Sequence, residues 1–279
     1  MNRITVIALN TFRETLRDKI LYNLVFFGLL LIGSAILLST LTIGEQAKII
    51  QDIGLASINV FGVIIAIFVG IGLVSKEIEK RTIFTIIAKP VPRYVFLLGK
   101  YSGLALTLLV NVGIMAAGFF LTVLVSKAGV DLALVKAVGL IFMELLVITA
   151  VAVMFSTFTT PTLSATFTLA IYVIGHLTDD LRTLGAKLGE SLTKVVLDVL
   201  YYSLPNLDYF NVKGQAVHGL PIEPSYLVSA ATYGIAYTTI LLILACLIFQ
   251  RRDFKCGHYH DDDRAGTAPR RGRGRGGMG

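Results

Sequence analysis

"SKEIEKRTIFTIIAKPVPRYVFLLGK", Ser75 to Lys100, carries six Lys or Arg and two Glu and is broken by Pro90-Val91-Pro92. On either side the chain turns apolar for the length that a bilayer core demands, over 55–74 before it and 101–126 after it. A charged segment between two such runs reads as a loop held on one membrane face. The flanking runs then become antiparallel spans, and the side of every other segment follows.

Composition agrees with that reading. The chain has 279 residues, 55% hydrophobic and 15% charged, with a mean hydropathy of +0.76; soluble domains are nearer half apolar and a quarter charged. Six runs are long enough to span, at roughly 20–43, 55–74, 101–126, 135–156, 161–177 and 226–249. The expected fold class is therefore an all-α membrane protein with six transmembrane helices. The first run has no short apolar core with a small-residue cleavage site, so it reads as a retained span. Runs four and five are separated by "STFTTPT" (156–162), where Pro161 cannot continue a helix. A tight hairpin is expected there, since one helix over 135–177 is too long for a bilayer at ordinary tilt.

Lys and Arg set the orientation. Segments 1–19, 75–100 and 251–255 hold 13 basic residues in 50 positions, against 7 in 70 for 44–54, 126–136 and 178–225. The first group is assigned to the cytoplasm, with both termini inside. Much of the +7 net charge is then a topology signal, and no nucleic-acid partner is expected. Cys246 falls in the last span and Cys256 in the tail, so no disulfide framework is visible.

The first nineteen residues repay a helical reading. Ile4, Ala8, Phe12, Leu16 and Ile20 recur four apart with Leu9 beside them, while Arg3, Asn10, Arg13, Glu14 and Arg17 gather opposite. Val6 and Ile7 fall toward the polar side. An amphipathic helix over 2–19 in the inner headgroup layer is one reading; a helical extension of the first span is the other. In the opening stretch, Lys76 to Ala88 favours a short helix with Ile83, Ile86 and Ile87 as an apolar ridge, Pro90 and Pro92 stop it, and Arg93 restarts the helix of span three. Such a segment is shaped for docking a partner. The plainer alternative is a solvated loop whose Lys and Arg serve topology alone.

These residues carry a resemblance. Glu77, Thr82, Ile83, Ala88, Lys89, Pro90, Val91, Arg93, Gly99 and Lys100 follow the pattern E-x-x-x-x-T-I, A-K-P-V-x-R, G-K of ABC-2 type transporter permeases. "LLVITAVAVMFSTFTTPTLSATFTLAIYVIGH" (145–176) and "LPNLDYFN" (204–211) are similar in kind. The chain resembles most the branch associated with multicopper-enzyme maturation, including nitrous oxide reductase assembly, over nearly all of residues 1–255. The resemblance implies a type V exporter-like permease domain over 1–255, with an N-terminal elbow helix and six spans. It also implies a multi-pass protein of a bacterial or archaeal cytoplasmic membrane, working as two copies with a separate ATPase subunit. Glu77, Glu79, Thr82, Lys89, Pro90 and Arg93 would form the ATPase-docking segment, and ATP and Mg would be bound by the partner subunit, with no cofactor in this chain. The sequence has no phosphate-binding G-x-x-x-x-G-K-[ST] loop: around Gly99-Lys100, Tyr94 stands where the loop needs Gly and Tyr101 where it needs Ser or Thr.

Polar residues inside apolar runs carry function by default. Glu144 in span four costs about 3 kcal/mol to insert, against about 4–6 kcal/mol returned by the Ile, Leu, Val and Phe of 135–156. The span survives, but the carboxylate needs a partner, and Asn111 in span three is a candidate neighbour. Glu144 and Asn111 are the candidates for the translocation path; interhelical glue is the structural alternative. His176, followed by Asp179 and Asp180, could be a metal or proton site on the outer face, but it lacks the ligand spacing of a metal site and reads as an interfacial helix end. The outer segment 178–225 suggests an amphipathic surface helix over 181–200 and an aromatic interfacial turn at "YYSLPNLDYFN" (201–211). It caps the exit or meets an extracytoplasmic partner. Residues 256–279 are Gly- and Arg-rich and read as a disordered cytoplasmic tail whose arginines could touch anionic lipid or nucleic acid; Cys256, His258 and His260 have no fold to hold a metal.

An intramembrane enzyme would need a paired nucleophile and base or a ligand cluster within the spans. A secondary transporter would more often show inverted repeats or broken helices, and Gly70-Ile71-Gly72 is too slight a break to argue one. The permease subunit of an ATP-driven exporter is the expected function, with an ATP-independent secondary transporter or membrane anchor as the alternative.

Overall fold

Where no water is present to bond the backbone, each spanning segment has to satisfy its own N–H and C=O groups, and the apolar runs accordingly fold as helices. The computed structural model describes residues 3–42, 44–79, 92–178 and 204–251. In chain order the elements are α1 (Arg3–Leu16), α2 (Lys19–Ser39), α3 (Gln46–Glu79), α4 (Arg93–Val125), α5 (Leu132–Ser156), α6 (Pro161–His176), a 3-10 turn (Leu207–Phe210), α7 (Lys213–Val217) and α8 (Pro224–Arg251). Among the described residues, five helices are long and apolar enough to cross a membrane: α2, α3 as far as Gly72, α4, α5 and α8. The fifth expected span, 161–177, falls short of that length. α6 has 16 residues, about 24 Å of helix against a hydrocarbon core of about 30 Å.

Short polar signals place the breaks. The Asp18 carboxylate accepts from the Ile20 N–H at 3.2 Å and caps α2, so α1 and α2 are separate helices rather than one extended span. Asp131 caps α5 in the same way. Pro92 precedes the first residue of α4, and Pro161 opens α6 at its first position, where its missing N–H costs nothing.

Two boundaries differ from the sequence reading. Residues 46–54, read as outer loop, belong to α3. Gln51 explains why: it is buried, and its Nε2 donates to the carbonyls of Ala128 and Gly129 at 3.1 Å each. These groups sit in the α4–α5 turn, where Lys127 and Gly129 have φ of 51° and 79°, so a polar residue in the first turns of α3 completes a neighbouring turn instead of facing water. At the other end, Lys76 to Glu79 does not begin a separate helix, because α3 is unbroken from Gln46 to Glu79. The rest of that expected helix, 80–88, lies outside the described residues, as do the surface helix expected over 181–200 and the tail.

α3 and α5 form the centre of the bundle. In each, 61% of the spanning window is buried, against 28% for α2 and α8, whose apolar side chains face outward. α3 packs along α5, α2 lies against α3 and α4, and α8 against α5 and α4. α3 and α5 pack tightly at Gly62 and Gly70, where an added Cβ would lie 2.6 Å from Leu145 Cδ1 and from Ala152 Cβ respectively. Gly70 therefore marks tight packing within a continuous helix, and Gly72 borders a cavity.

The contacts sort the loops into two ends. At one, Gln51 meets the α4–α5 turn, and Lys136 Nζ donates to the Ile222 carbonyl at 2.9 Å. At the other, α1 lies along the start of α4, Phe96 stacks on Phe249 with centroids 6.4 Å apart, and Lys100 Nζ lies 3.8 Å from Glu14 Oε2. Among the described residues, the parts that meet at each end fall within the groups made by counting Lys and Arg.

The α1–α4 seam rests on Gly99 and Gly103, small residues four apart that let two helix backbones approach closely. A Cβ on Gly99 would lie 2.8 Å from Ile7 Cβ, and one on Gly103 would lie 2.7 Å from Thr11 Cβ. Ile7, read from the sequence as misplaced on the polar side, is a seam residue. Gly103→Leu is expected to lever α1 off α4 at a cost of about 1–3 kcal/mol, read as a lower melting temperature and faster proteolysis at Arg13 and Arg17; unchanged protection of α1 would contradict this packing.

Candidate functional site

α5 is apolar on all its faces, as a helix buried in a bundle should be, and midway along it stands Glu144, 0% exposed. Its neighbours come from two other helices. Asn59 of α3, also buried, donates from Nδ2 to Glu144 Oε2 at 2.8 Å. Tyr172 of α6 donates from Oη to Asn59 Oδ1 at 2.8 Å. His176, one turn further along α6, places Nε2 3.4 Å from Glu144 Oε1, while its Nδ1 lies 3.2 Å from the Tyr172 carbonyl. The Tyr172 and His176 rings tilt against each other with centroids 4.7 Å apart. Four polar side chains from three helices thus close a ring, with the Asn59 amide orientation set by the Tyr172 hydroxyl on its oxygen side.

Asn111 takes no part in this ring. It is buried in α4, and its Nδ2 donates at 2.9 Å to the Thr107 carbonyl one turn back on its own helix. The neighbour expected for Glu144 is therefore corrected to Asn59. A signal for it was present: Asn59 is the most polar residue in the run 55–74, and the rule that singled out Glu144 applies to it equally. Tyr172 and His176 are four apart and so share one helix face.

The stretch 204–211, read as an interfacial aromatic turn, packs inward. Leu207 and Phe210 are buried, Leu207 against Gly175 and Phe210 against Gly234 of α8. Pinning comes from α8, where the Tyr233 hydroxyl accepts from the Asn206 N–H at 2.9 Å and the Tyr226 hydroxyl donates to the Tyr209 carbonyl at 2.8 Å. Two large apolar side chains had better company in the bundle than at its surface. α7 continues this plug against α5 and α3, and the charges of its Lys213 and of Asp208 act on both Glu144 and His176.

A cavity of about 540 Å³ lies at the other end, among α1, α2, α3 and the starts of α4 and α6. Its walls are mostly apolar, including Leu21, Leu24 and Phe68, with Glu14, Asp18 and Lys100 supplying charge. None of Asn59, Glu144, Tyr172 or His176 lines it. No cluster of three or more His, Cys, Asp or Glu that could hold a metal occurs among the described residues.

With this helical arrangement, residues 5–254 match the ABC-2 family transporter protein family. The chain belongs to that family. No curated protein matches it significantly. As an ABC-2 family member with several apolar spanning helices it is a multi-pass membrane protein, of a family whose chains are in general membrane subunits working with a partner ATPase subunit. In this ABC-2 chain, Glu77 and Glu79 fall in the last turns of α3 and Arg93 is the first residue of α4. Thr82, Lys89 and Pro90 lie outside the described residues.

Proposed function

We propose that this chain is the permease subunit of an ATP-driven exporter, moved by a separate ATPase that docks on the cytoplasmic segment 75–100. The observation that carries the reading is the family match over 5–254 in a chain without a phosphate-binding loop. Support also comes from the two helices flanking the segment. α3 has 34 residues and α4 has 33, about 50 Å each against a core of about 30 Å, so both have length to carry a push from outside the bilayer into the bundle.

In this proposal α6 also spans, as the fifth of six in chain order. Its shortfall in length is made up by the 204–217 plug, which packs on its end at Gly175. α1 is the elbow helix, lying in the inner headgroup layer while its seam side holds the start of α4. Both termini are cytoplasmic, and two copies pair through outward apolar faces such as those of α2 and α8, leaving the remainder to lipid. The membrane is a bacterial or archaeal cytoplasmic membrane. Glu144, with Asn59, Tyr172 and His176 beside it, is the polar station on the path, and Asn111 lines α4. The resemblance to the multicopper-enzyme-maturation branch offers a setting in which the outer segment meets an extracytoplasmic partner.

Purification of the tagged chain in mild detergent, from cells that also express the ATPase, tests this. The ATPase is expected to be retained in equal amount and its hydrolysis to change on reconstitution. A chain recovered alone at every detergent strength, or one that moves cargo without any ATPase, would overturn the reading.

A further inference from the structure

We infer that Glu144 and His176 together form a proton-binding site inside the membrane bundle, in which one proton lies between Glu144 Oε1 and His176 Nε2.

The argument is one of counting donors. His176 Nδ1 lies 3.2 Å from the Tyr172 carbonyl oxygen, which only accepts, so Nδ1 carries a hydrogen. In a neutral imidazole the other nitrogen, Nε2, then presents a lone pair. Facing it at 3.4 Å is Glu144 Oε1, which in a carboxylate presents lone pairs as well. Among the described residues neither atom has another hydrogen-bond partner, and both are shut off from solvent. No nearby group of the ring can turn to supply a hydrogen. The Asn59 amide is already committed, Nδ2 to Glu144 Oε2 and Oδ1 to the Tyr172 hydroxyl.

Two acceptors face to face in an interior closed to solvent repel each other, and each buried polar atom without a partner is costly. A single proton removes both problems. It makes either a carboxylic acid donating to a neutral imidazole or a carboxylate accepting from an imidazolium. The pair is electrically neutral in both forms, and the forms interconvert as the proton crosses from oxygen to nitrogen and back. A contraction of about 0.5 Å brings the two atoms to the distance of a charge-assisted hydrogen bond. Among the described residues the other charges acting on the pair, Lys213 and Asp208, are opposite in sign, so together they do not favour one charge on the pair.

Release of the proton would leave a carboxylate at 0% exposure with only the Asn59 amide donating to it among the described residues, which is costly in a membrane interior. The proton therefore stays while α3, α5 and α6 are packed as they are, and leaves only when α6 or the plug moves and water reaches Glu144. Any motion that opens this ring takes up or gives off a proton. This goes beyond the ATPase-driven reading and does not depend on it.

The test is nitrogen NMR of the full chain, labelled with 15N-histidine and placed in lipid nanodiscs, with the His176 signals among those of the four histidines assigned by their loss in His176→Gln. The expected pattern is a protonated Nδ1 with Nε2 either strongly hydrogen-bonded or itself protonated. In Glu144→Gln, where an amide N–H replaces the proton, Nδ1 stays protonated and the Nε2 resonance shifts toward that of a weakly bonded neutral ring. A neutral ring in the unaltered chain with its hydrogen on Nε2 and Nδ1 bare would overturn the inference. So would an Nε2 resonance that Glu144→Gln leaves in place. The unaltered chain alone decides the first point, so the test survives a variant that does not fold. No ATPase is present, so failure here leaves the permease reading intact.

Discussion

Glu77→Lys combined with Arg93→Glu is expected to weaken retention of the ATPase about a hundredfold, leaving the membrane bundle folded. The double reversal conserves the net charge of the 75–100 segment, so the positive-inside signal that orients the spans is unchanged. Only the charge pattern shown to a partner is inverted. Like charges brought together at an interface cost several kcal/mol, and a hundredfold loss corresponds to about 2.7 kcal/mol. Substitutions of surface charges away from the packed core change stability little, so the melting temperature of the chain is expected to stay within a degree or two. Retention of the ATPase at the original level would mean that the segment's charges serve topology alone.

Glu144→Ala is expected to be the most damaging single change within the bundle. It removes the acceptor of the Asn59 amide and the partner of His176 at once, and it empties space at a site with no exposure. Lost hydrogen bonds and the cavity together cost about 2–4 kcal/mol, measurable as a fall in unfolding midpoint in detergent. Glu144→Gln keeps an acceptor for Asn59 and adds a donor toward His176 in the same volume, so its cost is expected to be about 1 kcal/mol or less. The pair of variants separates the two roles that the sequence left open. A Gln variant that is stable but transports poorly assigns Glu144 to the working cycle; a stable Gln variant with full transport assigns it to interhelical glue.

The features legible in the sequence are those that depend on one segment at a time. Run length and apolarity mark the long helices, Pro92 and Pro161 mark helix starts, and Lys and Arg counts group the loops that meet at each end of the bundle. Features set by a neighbouring helix were not legible. Gln51 looks like a loop residue until Ala128 and Gly129 are found beside it. Ile7 breaks the amphipathic pattern of α1 only when the facing Gly99 is ignored, although Gly99-x-x-x-Gly103 could have been read as a site of close approach. Glu144 was visible as a carboxylate needing a partner, but Asn111 and Asn59 were equal candidates by type, and only the packing of α3 on α5 selects Asn59. Leu207 and Phe210 show the same limit, since an aromatic turn suits a headgroup layer and a bundle end equally until Gly175 and Gly234 offer space.

The central claim is that 75–100 faces the cytoplasm and receives force from another polypeptide. The most direct measurement places a single cysteine at Lys89→Cys, with Cys246 and Cys256 changed to Ser, and follows it with a membrane-impermeant thiol reagent and a short crosslinker. Labelling in inside-out vesicles but not in intact cells, with a crosslinked product containing the ATPase, is the predicted result. Labelling from outside intact cells, or inside labelling with no ATPase adduct under any nucleotide condition, would contradict it.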